Sequence, residues 1–224
     1  KKRFLPVKQG QLGLRQSDAL FHHTAALPEM LAQLNTEFDL TQIQAVGVSQ
    51  RPRPVEGSYM PCFLAGVNAA QAFALAKGIP LVYTTHQQGH AAAALFAAKG
   101  AELFHQKVLL FHISGGTTDL LLCDQVKNIQ MLGTSTDLYA GQAVDRVGVK
   151  LGFDFPAGAM VSEMAAQCDE TIKPRSSVKE MQCSLSGLEN QCNALLASGQ
   201  SPAYVCKYCL LCVADTVVKM TRAA

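Results

Sequence analysis

The sequence has little net charge and no long apolar run, and both absences exclude classes of protein. A formal net charge of +2 is too small to indicate nucleic-acid binding by overall charge. Only 16% of the residues are charged and 49% are hydrophobic, which excludes an intrinsically disordered chain. No apolar run approaches the ~20 residues that a membrane helix needs, and the start "KKRFLPVKQG" lacks the apolar centre of a secretory signal. We therefore expect a soluble, cytoplasmic protein without membrane association.

The eight cysteines lie mostly in apolar segments such as "LLLCDQ" and "VCKYCLLCVAD". This is typical of buried free thiols in a reducing compartment. Cys206, Cys209 and Cys212 recur every three residues, a spacing that also suits an iron–sulfur ligand run, although no fourth cysteine follows at cluster spacing. We favour the interpretation that these cysteines belong to the buried face of a long amphipathic helix from Pro202 to Arg222.

Strand-like and helix-like segments alternate through the first half of the chain. A helix is predicted over 17–34, with Ser17 as its N-cap and a kink or break at Pro28. The short buried strand "IQAVGVS", the helix "CFLAGVNAAQAFALAKG" ending at Gly78, and the strand "IPLVYTT" follow.

Further along, "KVLLFHI" and "TDLLLCD" are joined by "SGGT" and predict a hairpin, which "VKNIQMLGT" extends into a meander. From Asp137 onward the pattern is helical. Together these segments predict an α/β protein with mixed sheets, divided near Gly100–Gln106. The chain begins at Lys1 and stops within the helical pattern "VVKMTRAA", so we expect both ends to be cut from a longer protein.

The segment "THQQGH" places His86 and His90 four residues apart at the start of a helix. Both imidazoles then lie on one helix face and can bind one metal ion. A zincin metalloprotease needs a glutamate directly after the first histidine, and Gln87 stands there, so peptide hydrolysis by that route is disfavoured. A structural or chance histidine pair remains open at this point.

The segment "HISGGTTDL" is a candidate phosphate site. Two glycines between strands let successive backbone N–H groups turn towards an anion, and Ser114, Thr117 and Thr118 add hydroxyl groups. A tight hairpin that uses glycine for positive φ angles is the alternative.

Polar and basic residues elsewhere leave similar alternatives open. Asp145 is either a solvated residue or an acceptor for ribose hydroxyls, and Gly158 in "FPAGAM" either admits a ligand or belongs to a plain loop. Arg51, Arg53 and the basic start 1–3 either meet phosphates or are solvated.

In this order, the segments resemble the TsaD family, the tRNA threonylcarbamoyladenosine synthases, also called Gcp and formerly named O-sialoglycoprotein endopeptidases. The bacterial family pattern contains H-M-E-G-H, V-S-G-G-x-T, L-G-E-S-x-D-D-A-x-G-E-A-F-D-K, L-G-L-x-Y-P-G-G-P and F-S-F-S-G-L. The matching segments here are "THQQGH", "SGGTT", "LGTSTDLYAGQAVDRVGVKLGFDFPAGAM" and "CSLSGL". The resemblance covers nearly the whole chain.

The resemblance implies an actin-like ATPase (ASKHA) fold with ligands bound between two lobes. Residues 1–101 would form the N-terminal lobe with the HxxxH helix, and 102–224 the second lobe with the SGG nucleotide turn. The opening strand, the last third with its G-G-V-A-x-N turn and the final aspartate metal ligand are expected outside this sequence.

The resemblance also assigns ligands to particular residues. His86 and His90 match metal ligands of the family, which holds one divalent iron or zinc ion. His112 replaces a tyrosine that binds the metal in some members, so we expect it to be a third ligand. An ATP-type or adenylate nucleotide would be held by a second set of residues. That set is Ile113, Ser114, Gly115, Gly116, Asp145 and Gly158.

The implied activity is transfer of a threonylcarbamoyl group from its adenylate to N6 of a tRNA adenosine. The metal would act as a Lewis acid, and the nucleophile would come from the tRNA, so no catalytic side chain is assigned. TsaB-like and TsaE-like subunits are the implied partners, and a homodimer or a heterodimer is open.

Four positions depart from the family pattern by replacing an acidic residue with a neutral one. They are Gln88, Thr134, Leu138 and Gln142. The alternative is therefore a catalytically weak paralogue that binds nucleotide or a partner subunit. A metalloprotease is the least favoured of the three.

Overall fold

The computed structural model describes residues 3, 15–98, 100–125 and 128–224. Helices and sheets occur together along the chain, which confirms the predicted α/β class. The chain divides into two compact units, Lys1–Gly100 and Ala101–Ala224. Lys1 and Lys2 of the basic start, and the first two residues of "VKNIQMLGT", lie outside the described residues.

The first unit contains a two-stranded parallel sheet and three helices. In chain order its elements are α1 (Gln16–Asn35), a single 3₁₀ turn (Leu40–Gln42), β1 (Val46–Arg51), α2 (Phe63–Lys77), β2 (Leu81–Thr85) and α3 (His86–Ala97). β1 and β2 pair in parallel, and α2 is the crossover between them. Gly78, at φ 64°, ends α2 as predicted, because a glycine adopts this left-handed conformation without strain.

Two predictions for the first unit are wrong in detail, and a third is tested only in part. Arg15, and not Ser17, is the N-cap of α1, while the Ser17 hydroxyl donates to Asp18 Oδ1. Of the two outcomes predicted at Pro28, a break does not occur, because the helix runs from Gln16 to Asn35 without interruption, and a kink stays a prediction. β1 is half-buried, because its residues belong to a sheet of only two strands.

A β-bulge lies near the end of β1. Ser49 pairs with Thr84, but Arg51 pairs with Thr85, so β1 has one extra residue, Gln50, between these two pairs. Bulges of this kind redirect the side chains that follow them and are frequent next to functional sites.

The second unit contains the predicted meander followed by helices. Its elements are a 3₁₀ turn (Ala101–His105), β3 (Lys107–Ile113), β4 (Thr118–Asp124), β5 (Asn128–Thr134), α4 (Ala140–Lys150), α5 (Gly158–Ala165), β6 (Ser177–Lys179), β7 (Gln182–Ser184), α6 (Ser186–Ala197) and α7 (Pro202–Ala223). The order β3-β4-β5 is antiparallel throughout, which confirms the meander. The hairpin of β6 and β7 was not predicted, because strands of three residues are too short to show alternation.

The cysteines of α7 are core residues, as predicted. Cys209 and Cys212 belong to the larger apolar cluster of the second unit, and Cys206 packs with Ala157 and Val161 of the smaller one. All eight cysteines are free thiols. Burial raises the pKa of Cys206 to about 11, so this thiol stays protonated and unreactive at neutral pH.

None of the helices that the structure describes, the 22 residues of α7 included, is long and apolar enough to span a membrane.

Candidate metal and nucleotide sites

The start of α3 is fixed by a capping box between Thr85 and Gln88. Thr85 Oγ1 accepts a hydrogen bond from Gln88 N at 3.2 Å, and Gln88 Oε1 accepts one from Thr85 N at 2.8 Å. The arrangement satisfies two backbone donors at the helix end. The next turn of the helix, which carries both histidines, is thereby held in place.

This geometry explains one departure from the family pattern. Gln88 stands where bacterial relatives have glutamate, and its amide oxygen accepts the same hydrogen bond that a carboxylate would accept. The helix therefore does not need an acid at this position. The T-x-x-Q spacing of Thr85 and Gln88 is the signal in the sequence that indicates this cap.

His86 and His90 face each other on α3. Their Nε2 atoms are 2.9 Å apart, and the ring centroids are 4.3 Å apart with an interplanar angle of 84°. In this structure one ring donates a hydrogen bond to the other. Two nitrogen ligands at about 2.0–2.1 Å from one ion lie ~3.3 Å from each other at the tetrahedral angle of zinc, and ~2.9 Å from each other at a right angle. The pair therefore fits two adjacent ligands of a divalent metal.

The surroundings favour the metal-binding form of His86. Partial desolvation of its ring, and then the neighbouring His90, lower the pKa of His86 below the ordinary histidine value. A histidine binds metal as neutral imidazole, so a lowered pKa leaves more of the ligand form available at neutral pH.

A small open cavity reaches His86 inside the first unit. Its volume is about 380 Å³, and β1, α1 and the start of α2 supply its other walls. The lining residues are His23, Leu27, Val48, Ser49, Cys62, Phe63, Gly66 and His86. The Phe63 ring packs edge-on against the His86 ring, with centroids 6.1 Å apart.

Among the described residues, no group of three or more histidine, cysteine, aspartate or glutamate side chains is placed to hold a metal ion. His112 lies on β3 of the second unit, directly opposite Asp119 on β4. Its role as a third ligand stays a prediction.

The SGG turn connects β3 to β4 and is closed by the Ser114 side chain. Ser114 Oγ accepts hydrogen bonds from Gly116 N and Thr117 N, each at 3.1 Å, and lies 2.9 Å from Thr117 Oγ1. One interpretation of the sequence predicts that these amides and hydroxyls face an anion. In this structure they stabilise the turn itself.

The glycines of this turn are not required by its backbone conformation. Neither Gly115 nor Gly116 has a positive φ, so the expectation that a hairpin uses them for such angles is wrong. A Cβ atom at Gly115 would meet no atom within 4 Å, and one at Gly116 would meet only Ser114 Oγ at 4.0 Å. Open space over two adjacent glycines leaves room for a ligand to approach the backbone closely.

Gly141 on α4 is different, because the same turn packs directly against it. A Cβ at Gly141 would lie 2.6 Å from Gly115 N. Gly141 N also donates to Ser114 O at 3.2 Å, and Ala140 N donates to Thr118 Oγ1 at 2.8 Å. The start of α4 is thus fixed to the SGG turn.

Asp145 and the residue before Gly158 are joined by a hydrogen bond. Ala157 N donates to Asp145 Oδ1 at 2.8 Å, which holds the start of α5 beside α4. The two residues that the resemblance assigns to the nucleoside are therefore brought close together within the second unit. A Cβ at Gly158 would meet nothing within 4 Å, so its Cα side is open as well.

Asp137 holds two motif segments together, a role that sequence reasoning missed. Its carboxylate accepts hydrogen bonds from Ser184 Oγ at 2.6 Å, Ser186 Oγ at 2.5 Å and Leu185 N at 2.8 Å. Burial opposes ionisation, but these hydrogen bonds outweigh it and hold the pKa of Asp137 well below its usual range. Both serines of "CSLSG" are engaged with Asp137. A carboxylate paired with residues 47 to 49 positions away has no local sequence signal.

The other three positions at which a neutral residue replaces an acidic one have different surroundings. Thr134 Oγ1 donates to Oδ1 of the fully buried Asp119 at 2.7 Å. Leu138 is buried in the larger core cluster, and Gln142 is exposed on α4.

Comparison with known proteins gives consistent matches. The sequence profile described as "TsaD: tRNA N6-adenosine threonylcarbamoyltransferase" matches residues 9–224. Over 177 residues, the chain is 34% identical to the tRNA N6-adenosine threonylcarbamoyltransferases of Streptococcus pneumoniae strains CGSP14 and JJA. The match covers 75% of this chain and 49% of each relative, so the chain spans about half of their length. The chain belongs to the TsaD family.

Proposed function

We propose that this protein transfers a threonylcarbamoyl group from an adenylate donor to N6 of an adenosine in tRNA, in the cytoplasm. Family membership supports the type of reaction. The observation that carries the proposal is the open backbone at Gly115 and Gly116, in the turn that the resemblance assigns to the nucleotide phosphate.

The SGG turn supplies a rigid backbone for the donor. Ser114 holds the turn from within, and α4 packs against it through Gly141. A phosphate at Gly115 and Gly116 meets backbone without side chains, which permits a closer approach than any other residue would allow. Asp145 and Gly158, joined through Ala157 N, would bind the nucleoside, the carboxylate by accepting from ribose hydroxyls.

His86 and His90 would hold one iron or zinc ion through Nε2, since their separation fits two adjacent ligands. A divalent ion at this position supplies Lewis-acid polarisation of a carbonyl or phosphate oxygen. The capping box keeps both rings on one face of α3, and partial desolvation favours the neutral ligand form of His86. No nucleophilic side chain is required, because the attacking amine belongs to the tRNA. His112 as a third ligand and TsaB-like and TsaE-like partner subunits belong to the same proposal.

The second candidate is a catalytically weak paralogue that binds nucleotide or a partner subunit. Leu138, buried in the core at a position where relatives carry aspartate, favours it, because a carboxylate is lost there without a polar replacement. A metalloprotease is not supported, because the residue after His86 is the buried amide Gln87 and not a general base.

Complementation separates the two candidates. The full-length gene is expressed in cells depleted of their own threonylcarbamoyl transferase, and modified adenosine in bulk tRNA is quantified by mass spectrometry. The transferase proposal expects the modification to return, and not to return with His90→Ala. Purified protein that binds ATP but leaves the tRNA unmodified would support the paralogue.

A further inference from the structure

Arg51 is a positively charged residue with an unsatisfied hydrogen-bond donor. It ends β1, is half-buried, and its Nε atom is buried without a hydrogen-bond partner. No ion pair or side-chain hydrogen bond to Arg51 is found within the part of the chain that the structure describes. A desolvated donor on a permanently charged group is costly to leave unsatisfied, so its presence asks for an explanation.

Other partly buried cations of the chain have evident partners. Lys77 donates to Leu40 O and Thr41 O at 2.7 and 2.8 Å, and Lys207 donates to two carbonyl oxygens at the same distances. Arg51 therefore differs from these two lysines, because no acceptor for its side chain is found among the residues that the structure describes.

Strand pairing and a backbone hydrogen bond fix the position of the chain around Arg51. The bulge at Gln50 sets Arg51 beside Thr85, the residue that precedes His86. Arg51 and Arg53 both precede a proline in "RPRP", which restricts their backbones to extended conformations. Pro52 O also accepts a hydrogen bond from Gln87 N at 3.0 Å, so this loop is fixed to the start of α3.

We propose that Arg51 is an anion-binding residue that recognises an oxyanion, a phosphate or a carboxylate, beside the His86–His90 pair. The guanidinium group presents a planar fork of N–H donors that matches the two oxygens of either group, and such charge-assisted bonds are among the strongest polar contacts. A bound anion would pair with the positive charge of Arg51, which has no ion-pair partner among the described residues. The inference does not rest on the proposed function, because Arg51, His86 and His90 all lie in the first unit and the oxyanion is identified only by its chemistry.

The test compares the wild-type protein with Arg51→Met and Arg53→Gln. Methionine keeps the length and the apolar contacts of the side chain but removes its charge and donors. Arg53 lies in the same loop and already interacts within the chain, so Arg53→Gln is the matched control for a general loss of positive charge. The probes are inorganic phosphate, AMP and N-carbamoyl-L-threonine, each titrated by calorimetry.

We expect at least one probe to bind the wild-type protein and Arg53→Gln, and to bind Arg51→Met at least tenfold more weakly. Binding of phosphate and AMP assigns the site to phosphate, and binding of carbamoylthreonine alone assigns it to carboxylate. We also expect Arg51→Met to melt at the same temperature as the wild-type protein or higher, because an unsatisfied buried donor has been removed.

Equal affinity of the wild-type protein and Arg51→Met for every probe overturns the inference. So does a wild-type protein that binds no probe, or a melting temperature of Arg51→Met several degrees below that of Arg53→Gln, which would show a structural partner for Arg51. Arg51-dependent anion binding in a protein that transfers nothing to tRNA would leave this inference standing and overturn the proposed function alone.

Discussion

Gly115 and Gly141 approach each other closely, but alanine substitutions at the two positions should have different effects. We expect Gly115→Ala to weaken ATP binding and Gly141→Ala to lower stability. A Cβ at Gly115 meets nothing within 4 Å, so Gly115→Ala should change the unfolding free energy by no more than about 0.5 kcal/mol. The same methyl group would occupy the space proposed for the phosphate, and we expect ATP affinity to fall at least tenfold. Calorimetric titration with ATP, together with thermal melts, measures both effects.

Gly141→Ala is the contrasting variant. Its Cβ would lie 2.6 Å from Gly115 N, so the turn or the helix must shift, and we expect a loss of about 1–3 kcal/mol in stability. A Gly115→Ala protein that binds ATP as tightly as the wild-type protein would contradict the proposed phosphate position.

Gln88 provides a second prediction at the residue scale. Gln88→Glu keeps the capping box and places a negative charge in the first turn of α3, which should stabilise the protein by about 0.3–1 kcal/mol. Gln88→Ala removes one of the two hydrogen bonds and should destabilise it by about 1 kcal/mol. Chemical denaturation of the three proteins checks the order. Equal stability of all three would show that the cap contributes nothing.

The histidine pair of α3 provides a third prediction at the residue scale. His86→Ala and His90→Ala should each weaken zinc or iron(II) binding at least tenfold, since each removes one of two facing nitrogen ligands. His22→Ala, a substitution on α1, is the control and should leave the affinity unchanged. Competition with a chromogenic chelator gives the dissociation constants. Metal binding that survives both α3 variants would rule out this pair as the site.

At the scale of elements, the Asp137 carboxylate ties the loop before α4 to the start of α6. The pKa of Asp137 is lowered in the folded protein, so the ionised carboxylate contributes stability above its unfolded pKa of about 3.9. That contribution is lost as the pH falls towards the folded pKa.

We therefore expect Asp137→Asn to be less stable than the wild-type protein by ~1–3 kcal/mol at pH 6–7. The difference should shrink as the pH is lowered below about 4, because the unfolded wild-type chain then binds a proton at Asp137 that the folded carboxylate does not. Denaturation curves measured from pH 3 to pH 7 test this. A difference that stays constant across this range would mean that the charge of Asp137 plays no part.

The elements differ in how well the sequence predicted them, and the reason is the range of the interactions. α2, its end at Gly78 and the β3–β5 meander follow from local periodicity and from a helix-ending glycine, and all were predicted. The Asp137 network joins residues 47 to 49 positions apart and has no local pattern. The bulge at Gln50 depends on pairing between two strands, so β1 alone gave no sign of it.

In the candidate site, too, local motifs could be predicted from the sequence and long-range contacts could not. Family motifs located the SGG turn, Asp145 and Gly158, but not the internal role of Ser114 or the need for Gly141. Both depend on which backbone atoms approach each other in three dimensions.

For the whole molecule, the account combines family membership with two sets of residues, one in each compact unit. The first unit contributes the histidine pair and Arg51, and the second contributes the open glycine turn with Asp145 and Gly158. The chain spans about half of the length of the curated relatives it matches, so activity has to be measured on the full-length protein.

The most direct test is single-turnover transfer by the purified full-length protein loaded with iron or zinc. Threonylcarbamoyl adenylate labelled in the threonine moiety is mixed with unmodified tRNA, and the digested nucleosides are separated. The account predicts label on N6 of a tRNA adenosine, with transfer reduced at least tenfold by His90→Ala and by Gly115→Ala. Metal-loaded, folded protein that binds the adenylate and its expected partner subunits but transfers no label would contradict it.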